Sequence, residues 1–269
     1  MLQNFFSSII DWILVSFNYN IIPIMFIAGA FLTIMTSLGA LIAIFSKNMP
    51  SWGINFSLSF AAGIMLVASF TSLILPSIEI SSTFFPTATG IFLGIILMLI
   101  IDKSIPHEHL IKGYEGPPEL KNKFKLAWLL VFAMIVHNFP EGLAVGSALA
   151  FDLKDGLITA VAIGIQDFPE GTVVALPLSV LQKSRLKPVL IGILSGFAEF
   201  ITVIIGALFF KKFNFLLPYG LSLAGGAMLY VTIKELIPEI YKSEKNELII
   251  TAGFFLGFYT MLYLDSLSF

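Results

Sequence analysis

Cysteine is absent from this 269-residue chain, which excludes a disulfide scaffold and any function that needs a thiol as ligand or nucleophile. Charge is scarce as well. Only 12% of the residues are Asp, Glu, Lys or Arg and 57% are apolar, whereas an ordinary soluble domain is about 25% charged. Too little polar surface remains to coat a water-soluble globule of this length. A basic stripe is missing, and with a formal net charge of −2 the chain is no nucleic-acid binder. Alternating polarity, the mark of an outer-membrane barrel, is missing too: runs such as Ile95-Ile96-Leu97-Met98-Leu99-Ile100-Ile101 do not alternate. With a mean hydropathy of +0.94, what remains is a polytopic, all-α integral membrane protein.

What the chain does have is a succession of apolar runs broken by polar, Gly or Pro clusters. They fall at about 20–45, 53–80, 86–105, 126–150, 157–181, 188–210, 216–240 and 247–267. A transmembrane helix takes about 20 residues, so the spacing predicts eight helices in one transmembrane domain over 1–269. The first 18 residues are apolar, carry Asp11 and lack Lys and Arg. Without the positive n-region of a signal peptide, they read as an amphipathic or partly inserted lead-in. The longest hydrophilic stretch holds Pro106-His107-Glu108-His109 and Gly116-Pro117-Pro118, so 106–125 reads as a mobile loop. Lys and Arg in the connections set the orientation. Eleven of them, from Lys47 to Lys245, follow helices one, three, five and seven, and only Lys154, Lys211 and Lys212 lie on the other side. That asymmetry puts 106–125 in the cytoplasm and both termini outside a cell membrane.

Ionisable groups at bilayer depth cost at least about 2.5–3.5 kcal/mol each on insertion scales, so those that persist mark pathways or sites. Helix four contains His137-Asn138-Phe139-Pro140-Glu141-Gly142, and helix five contains Gln166-Asp167-Phe168-Pro169-Glu170-Gly171. These are one motif written twice. His137 and Glu141 are four apart and Asn138 and Glu141 three apart, so all three project from nearly one helix face. Gln166, Asp167 and Glu170 repeat that geometry. Each proline removes an N–H and disturbs the bond to the carbonyl four residues earlier, here Val136 and Ile165. Freed carbonyls in a bent helix are tolerated around a cavity that holds ions or water. Paired carboxylates with imidazole and amide suit a divalent ion of borderline hardness, namely zinc, iron, manganese or cadmium.

Other helices add candidates. Glu199 is the only charge between Leu190 and Phe210. Met65, Ser72 and Glu79 are seven apart, which on a regular helix drifts only about 20° per step and makes a ladder with rungs ~10.5 Å apart. Ordinary packing accounts equally well for Met65 and Ser72. If Glu141, Asp167, Glu170 and Glu199 are all ionised, their four charges balance two divalent ions; a single ion would call for compensating protons.

The paired His-Asn-Phe-Pro-Glu-Gly and Gln-Asp-Phe-Pro-Glu-Gly motifs resemble the signature of the ZIP (Zrt/Irt-like) metal transporters, nearest the prokaryotic GufA-like branch. The resemblance runs from Phe60-Ala61-Ala62-Gly63-Ile64-Met65 to Leu236-Ile237-Pro238-Glu239, through Ser195-Gly196-Phe197-Ala198-Glu199 and Leu217-Pro218-Tyr219-Gly220. It implies an eight-helix bundle with both termini outside that moves divalent metal, zinc foremost, into the cytoplasm as a homodimer. It also implies two ions per protomer. His137, Gln166, Glu141, Glu170 and Met65 would hold one; Asn138, Asp167 and Glu199 would hold the other, sharing Glu141 and Glu170. By the same resemblance Glu79 lies at the outer mouth and Ser72 along the inward path. Asp102, His107, His109 and Glu235 would receive metal on the cytoplasmic side, and helices one, four, five and six would slide against the rest.

The chain departs from the family pattern in three ways. Gln166 stands where many members have a second histidine, and a neutral amide is the weaker ligand. Lys234, beside Glu235, puts a cation where a neutral or ligating residue is expected; it should repel metal or pair with a carboxylate. The loop 106–125 has two histidines only; His107 and His109 could both reach one ion or simply be solvated. Two other classes fit part of the pattern. An intramembrane zinc metalloenzyme could use His137 and Glu141, but a catalytic zinc keeps an open position that this crowded ligand set does not leave. A metal-sensing membrane protein would bind without a through path. Transport, with no enzymatic chemistry, accounts for more of the residues.

Overall fold

In lipid, a long apolar run satisfies its backbone by coiling into a helix, and almost every described residue here does so. The computed structural model describes residues 2–45, 51–109, 113–120, 126–182, 186–241 and 247–266. The helices are α1 (Leu2–Ser16), α2 (Ile21–Phe45), α3 (Ser51–Ala68), α4 (Leu75–Glu79), α5 (Phe85–Ser104), α6 (Leu126–Phe151), α7 (Leu153–Gln182), α8 (Leu186–Lys212), α9 (Leu217–Val231), α10 (Ile237–Tyr241) and α11 (Glu247–Asp265). Among the described residues, six helical stretches are long and apolar enough to cross a membrane: Ile21–Ile42, Asn55–Glu79, Phe85–Ser104, Leu186–Lys212, Asn214–Leu236 and Glu247–Asp265. The protein is an all-α membrane protein. α6 and α7, at 26 and 30 residues, are long enough as well and carry the repeated motif.

The helices pack in two groups. In one, α2 lies on α7 and α8, and α6 on α8 and α7; in the other, α3 pairs with α11 and α5 with α9. Missing side chains make these pairings tight. A methyl on Gly39 would strike the Phe168 carbonyl, and one on Gly257 would strike that of Phe60. Hydroxyls stitch the same pairs: Thr33 donates to the Gly196 carbonyl at 2.8 Å and Thr172 to that of Gly39 at 2.9 Å. Ser77 does so in the second group, donating to the Pro218 carbonyl at 2.8 Å. Between the groups the seam runs where α3 meets α7 and α6 meets α9. Among the described helical glycines, only Gly220, against Phe210, presses across it.

Two breaks in winding depart from the regular helices read in the sequence. A π turn, Ser69–Ile74, separates α3 from α4, and a second, Thr232–Leu236, separates α9 from α10. Each ends two residues before a proline, Pro76 or Pro238. A proline ring collides with the carbonyl four residues back, that of Ser72 or Lys234, and the wider i→i+5 winding takes up that collision. One such turn inserts about one extra residue, roughly 100° of rotation. The even seven-residue spacing of Met65, Ser72 and Glu79 is therefore interrupted by the turn; Met65 and Ser72 are buried, and Glu79, the last residue of α4, is exposed.

Two connections also differ from expectation. α6 and α7 are joined by Asp152 alone, whose Oδ1 accepts from the N–H groups of Lys154 (2.8 Å) and Asp155 (3.0 Å) and so caps α7. The stretch 106–125, read as a mobile loop, contains an antiparallel ribbon, β1 (His107–His109) with β2 (Gly113–Glu115), in which His107 faces Glu115. Gly116 closes it at φ +121°, a conformation that favours glycine. The N-terminal lead-in is the helix α1, with Ile10 and Leu14 buried and Trp12 and Val15 exposed.

Candidate metal centre

The one-residue joint at Asp152 sets the motif copies side by side. Glu141 lies ~17 Å before it along α6 and Gln166 ~21 Å after it along α7, at 1.5 Å per residue. Both thus lie at a similar distance from the joint, about half of a ~30 Å hydrocarbon thickness. The Gln166 amide Nε2 donates to Glu141 Oε1 at 2.5 Å. Gly142 lets α8 close onto α6, since any side chain there would strike the Glu199 carbonyl. Glu199 thereby joins the pair. Glu141, Asp167 and Glu199 are all buried, and one oxygen from each lies within 4.8 Å of the others.

Carboxylates that close in a low dielectric repel one another unless positive charge or protons lie among them. Neutral donors complete the set. Gln166 Oε1 is buried and, among the described residues, has no hydrogen-bond partner, the condition of an amide oxygen that can take a cation. Asn138, also buried, sits one turn before Glu141. His137 and Glu170 lie on α6 and α7 at the motif positions, but their side chains fall outside the described residues. The carboxylate and amide oxygens by themselves form a hard donor set; a borderline divalent ion would be favoured by the imidazole that the motif supplies at His137.

Two hydroxyls stand out. Most buried Ser and Thr side chains here donate to their own helix, as Ser69 does to the Met65 carbonyl at 2.6 Å and Thr232 to that of Met228 at 2.8 Å. Ser72 Oγ and Ser195 Oγ are buried without a hydrogen-bond partner among the described residues. Ser72 belongs to the inward path implied by resemblance. Ser195, one turn before Glu199 on α8, was not among the candidate residues; nothing in its spacing separates it from a packing serine.

A second charged cluster lies where α5, the ribbon and the second π turn meet. Asp102, His107 and Glu115 bring one ligand atom each within 4.8 Å of the others. Lys234 donates to Asp102 Oδ2 and to Glu115 Oε2, both at 2.6 Å, and the Tyr230 hydroxyl donates to Asp102 Oδ2 at 2.6 Å. Of the two outcomes open to Lys234, pairing is the one observed. Glu235 is buried in the same π turn. His109 lies in β1, with its side chain outside the described residues. Glu115 and Tyr230 were missed from the sequence. Tyr230 lies four residues before Lys234 and so was open to discovery by helical spacing; Glu115 joins only because the ribbon folds back.

A family profile and several known proteins match this chain. The family profile described as ZIP Zinc transporter matches residues 103–265. Zinc transporter ZIPB of Bordetella bronchiseptica is 37% identical over 240 residues, which is 86% of this chain and 77% of that protein. Zinc transporter GufA of Myxococcus xanthus is 36% identical over 203 residues, 72% of this chain and 79% of the relative. Zinc transporter ZIP11 of Homo sapiens is 30% identical, with 86% and 93% covered.

Proposed function

The chain belongs to the ZIP family of zinc transporters, and from that premise we propose how its buried charges pass metal through the membrane. It is a multi-pass membrane protein that transports divalent metal ions, and it is a transporter rather than an enzyme. The ions cross through a binuclear site between α6, α7 and α8. His137, Glu141, Gln166, Glu170 and Met65 hold one ion. Asn138, Asp167 and Glu199 hold the second and share Glu141 and Glu170. The observation that carries this reading is the trio of Glu141, Asp167 and Glu199, buried with oxygens within 4.8 Å of one another, beside the unshared Gln166 Oε1. Adding Glu170, the carboxylates total four charges, the complement of two divalent ions.

All eight long helices span the cell membrane in this reading, with both termini outside and the ribbon in the cytoplasm, as the Lys and Arg asymmetry supports. Zinc is the foremost substrate, with iron, manganese and cadmium as competitors, and the working unit is a homodimer. Tight packing inside each helix group, against a seam with little glycine contact, supports a slide of α2, α6, α7 and α8 past α3, α5, α9 and α11. Such a slide exposes the site to alternate sides.

The test is zinc flux into proteoliposomes, with iron, manganese and cadmium as competitors and a set pH gradient. Saturable zinc uptake that the other metals inhibit is expected. Tight binding without flux would overturn the reading, and a single tight ion with no proton release would overturn its two-ion stoichiometry.

A further inference from the structure

Lys234 is the only Lys or Arg in the stretch Asn214–Leu236, and it sits where a metal ion would. Its ammonium makes 2.6 Å contacts to one carboxylate from α5, Asp102, and one from β2, Glu115. The Tyr230 hydroxyl holds the same Asp102 oxygen, and its ring lies 5.2 Å from Nζ. The other Asp102 oxygen, Oδ1, accepts no hydrogen bond among the described residues and stands 3.8 Å from His107 Nε2. Lys234 is 35% exposed and Asp102 3%, so the amine comes from the rim and the carboxylate forms the floor. Beside them opens a cavity of about 440 Å³ bordered by Leu99, Lys103 and Pro117. That is room for a flexible four-carbon stem to swing aside.

We propose, resting on the transport reading above, that Lys234 is a tethered counter-cation that keeps this inner seat from trapping metal. A divalent ion leaving Glu141, Asp167 and Glu199 enters the seat by displacing the ammonium onto the rim, where it meets Asp102, His107 and Glu115. The ammonium is held on the same chain, so its effective concentration at the seat stays high. Its return restores the charge pairs and expels the ion into the cytoplasm. Without it, two carboxylates and an imidazole would face each other at the membrane edge, a set that retains a divalent ion. Lys234 thus governs release, while capture belongs to the deeper site.

The test compares the full-length protein with Lys234→Met, Lys234→Arg and Lys234→Met combined with Glu115→Gln. Each is equilibrated with Zn²⁺, dialysed against metal-free buffer and analysed for bound zinc, and its zinc release is followed in proteoliposomes. Lys234→Met is expected to retain one zinc per protomer more than the parent and to release it about ten- to a hundredfold more slowly, the range of one buried charged contact. Lys234→Arg, which keeps the charge, and the double variant, which lacks the second carboxylate, should each lose the extra zinc. Parental zinc content in Lys234→Met, or extra zinc that persists in the double variant, would overturn the proposal. Lost flux with no extra zinc would also overturn it, leaving the bridge a purely structural tie. Lys234→Gln repeats the charge loss should the Met variant fail to fold. If the parent itself moves no zinc, the transport reading fails, while the bound-zinc comparison still decides the role of Lys234.

Discussion

A buried carboxylate earns its place through what neutralises it, and the roles of the acids follow from how many ions each serves. Glu141 and Glu170, shared by both proposed ions, should be indispensable: alanine at either position abolishes zinc uptake in proteoliposomes. Asn138→Ala and Glu199→Ala each weaken one ion only, so a slower, still saturable uptake is expected. Equal loss in all four variants would instead mean one indivisible site. Gln166 offers a finer adjustment. Its Nε2 donates to Glu141, which leaves the amide oxygen as the weak ligand of the proposed site. Gln166→His supplies a stronger nitrogen ligand, and the zinc concentration for half-maximal uptake should fall by roughly tenfold, ~1.4 kcal/mol. Asn138, Glu141, Gln166 and Glu170 stood out in the sequence because an i, i+3, i+4 pattern with a repeated Pro-Glu-Gly is local information, and Glu199 because it is the only charge between Leu190 and Phe210. Glu115 and Tyr230 were not, since their importance depends on Lys234, which lies 119 residues from Glu115.

Among the helices, glycine and proline decide the geometry. Gly142 allows α8 to approach α6 closely enough for Glu199 to join Glu141. Gly142→Ala inserts a methyl into a closed contact and should destabilise the protein by about 1–3 kcal/mol. Thermal unfolding in detergent measures that loss, and zinc affinity should fall with it. The apolar runs announced long helices, yet the two π turns were invisible in them. Pro76 and Pro238 signalled a disturbance; whether the chain kinks, ends or widens there depends on neighbouring helices that can re-satisfy the freed backbone groups. Lys234 lies in the second of these turns and reaches Asp102 and Glu115 from there.

On the scale of the molecule, the charge asymmetry supports the proposed orientation, with the ribbon in the cytoplasm. The lack of native cysteine makes topology directly measurable, because any introduced cysteine is the only thiol present. Lys154→Cys and Lys211→Cys should react in intact cells with a membrane-impermeant thiol reagent. Lys47→Cys and Lys187→Cys should react only after permeabilisation. The reverse pattern would invert the proposed orientation and make the ribbon cluster an inlet.

The sequence by itself determined that the chain is an apolar helical membrane protein and which helices carry acids into it, since burial in lipid is a matter of local composition and helical spacing is a matter of counting. It also ruled out thiolate ligation, leaving oxygen and nitrogen with at most one thioether. Only the tertiary structure decided which acids meet. Glu199 reaches Glu141 across a glycine contact between α6 and α8, and Lys234 reaches Asp102 across 132 residues. Contacts of that range depend on how whole helices pack and where they unwind, and a one-residue π insertion is enough to turn a side chain from one neighbour to another.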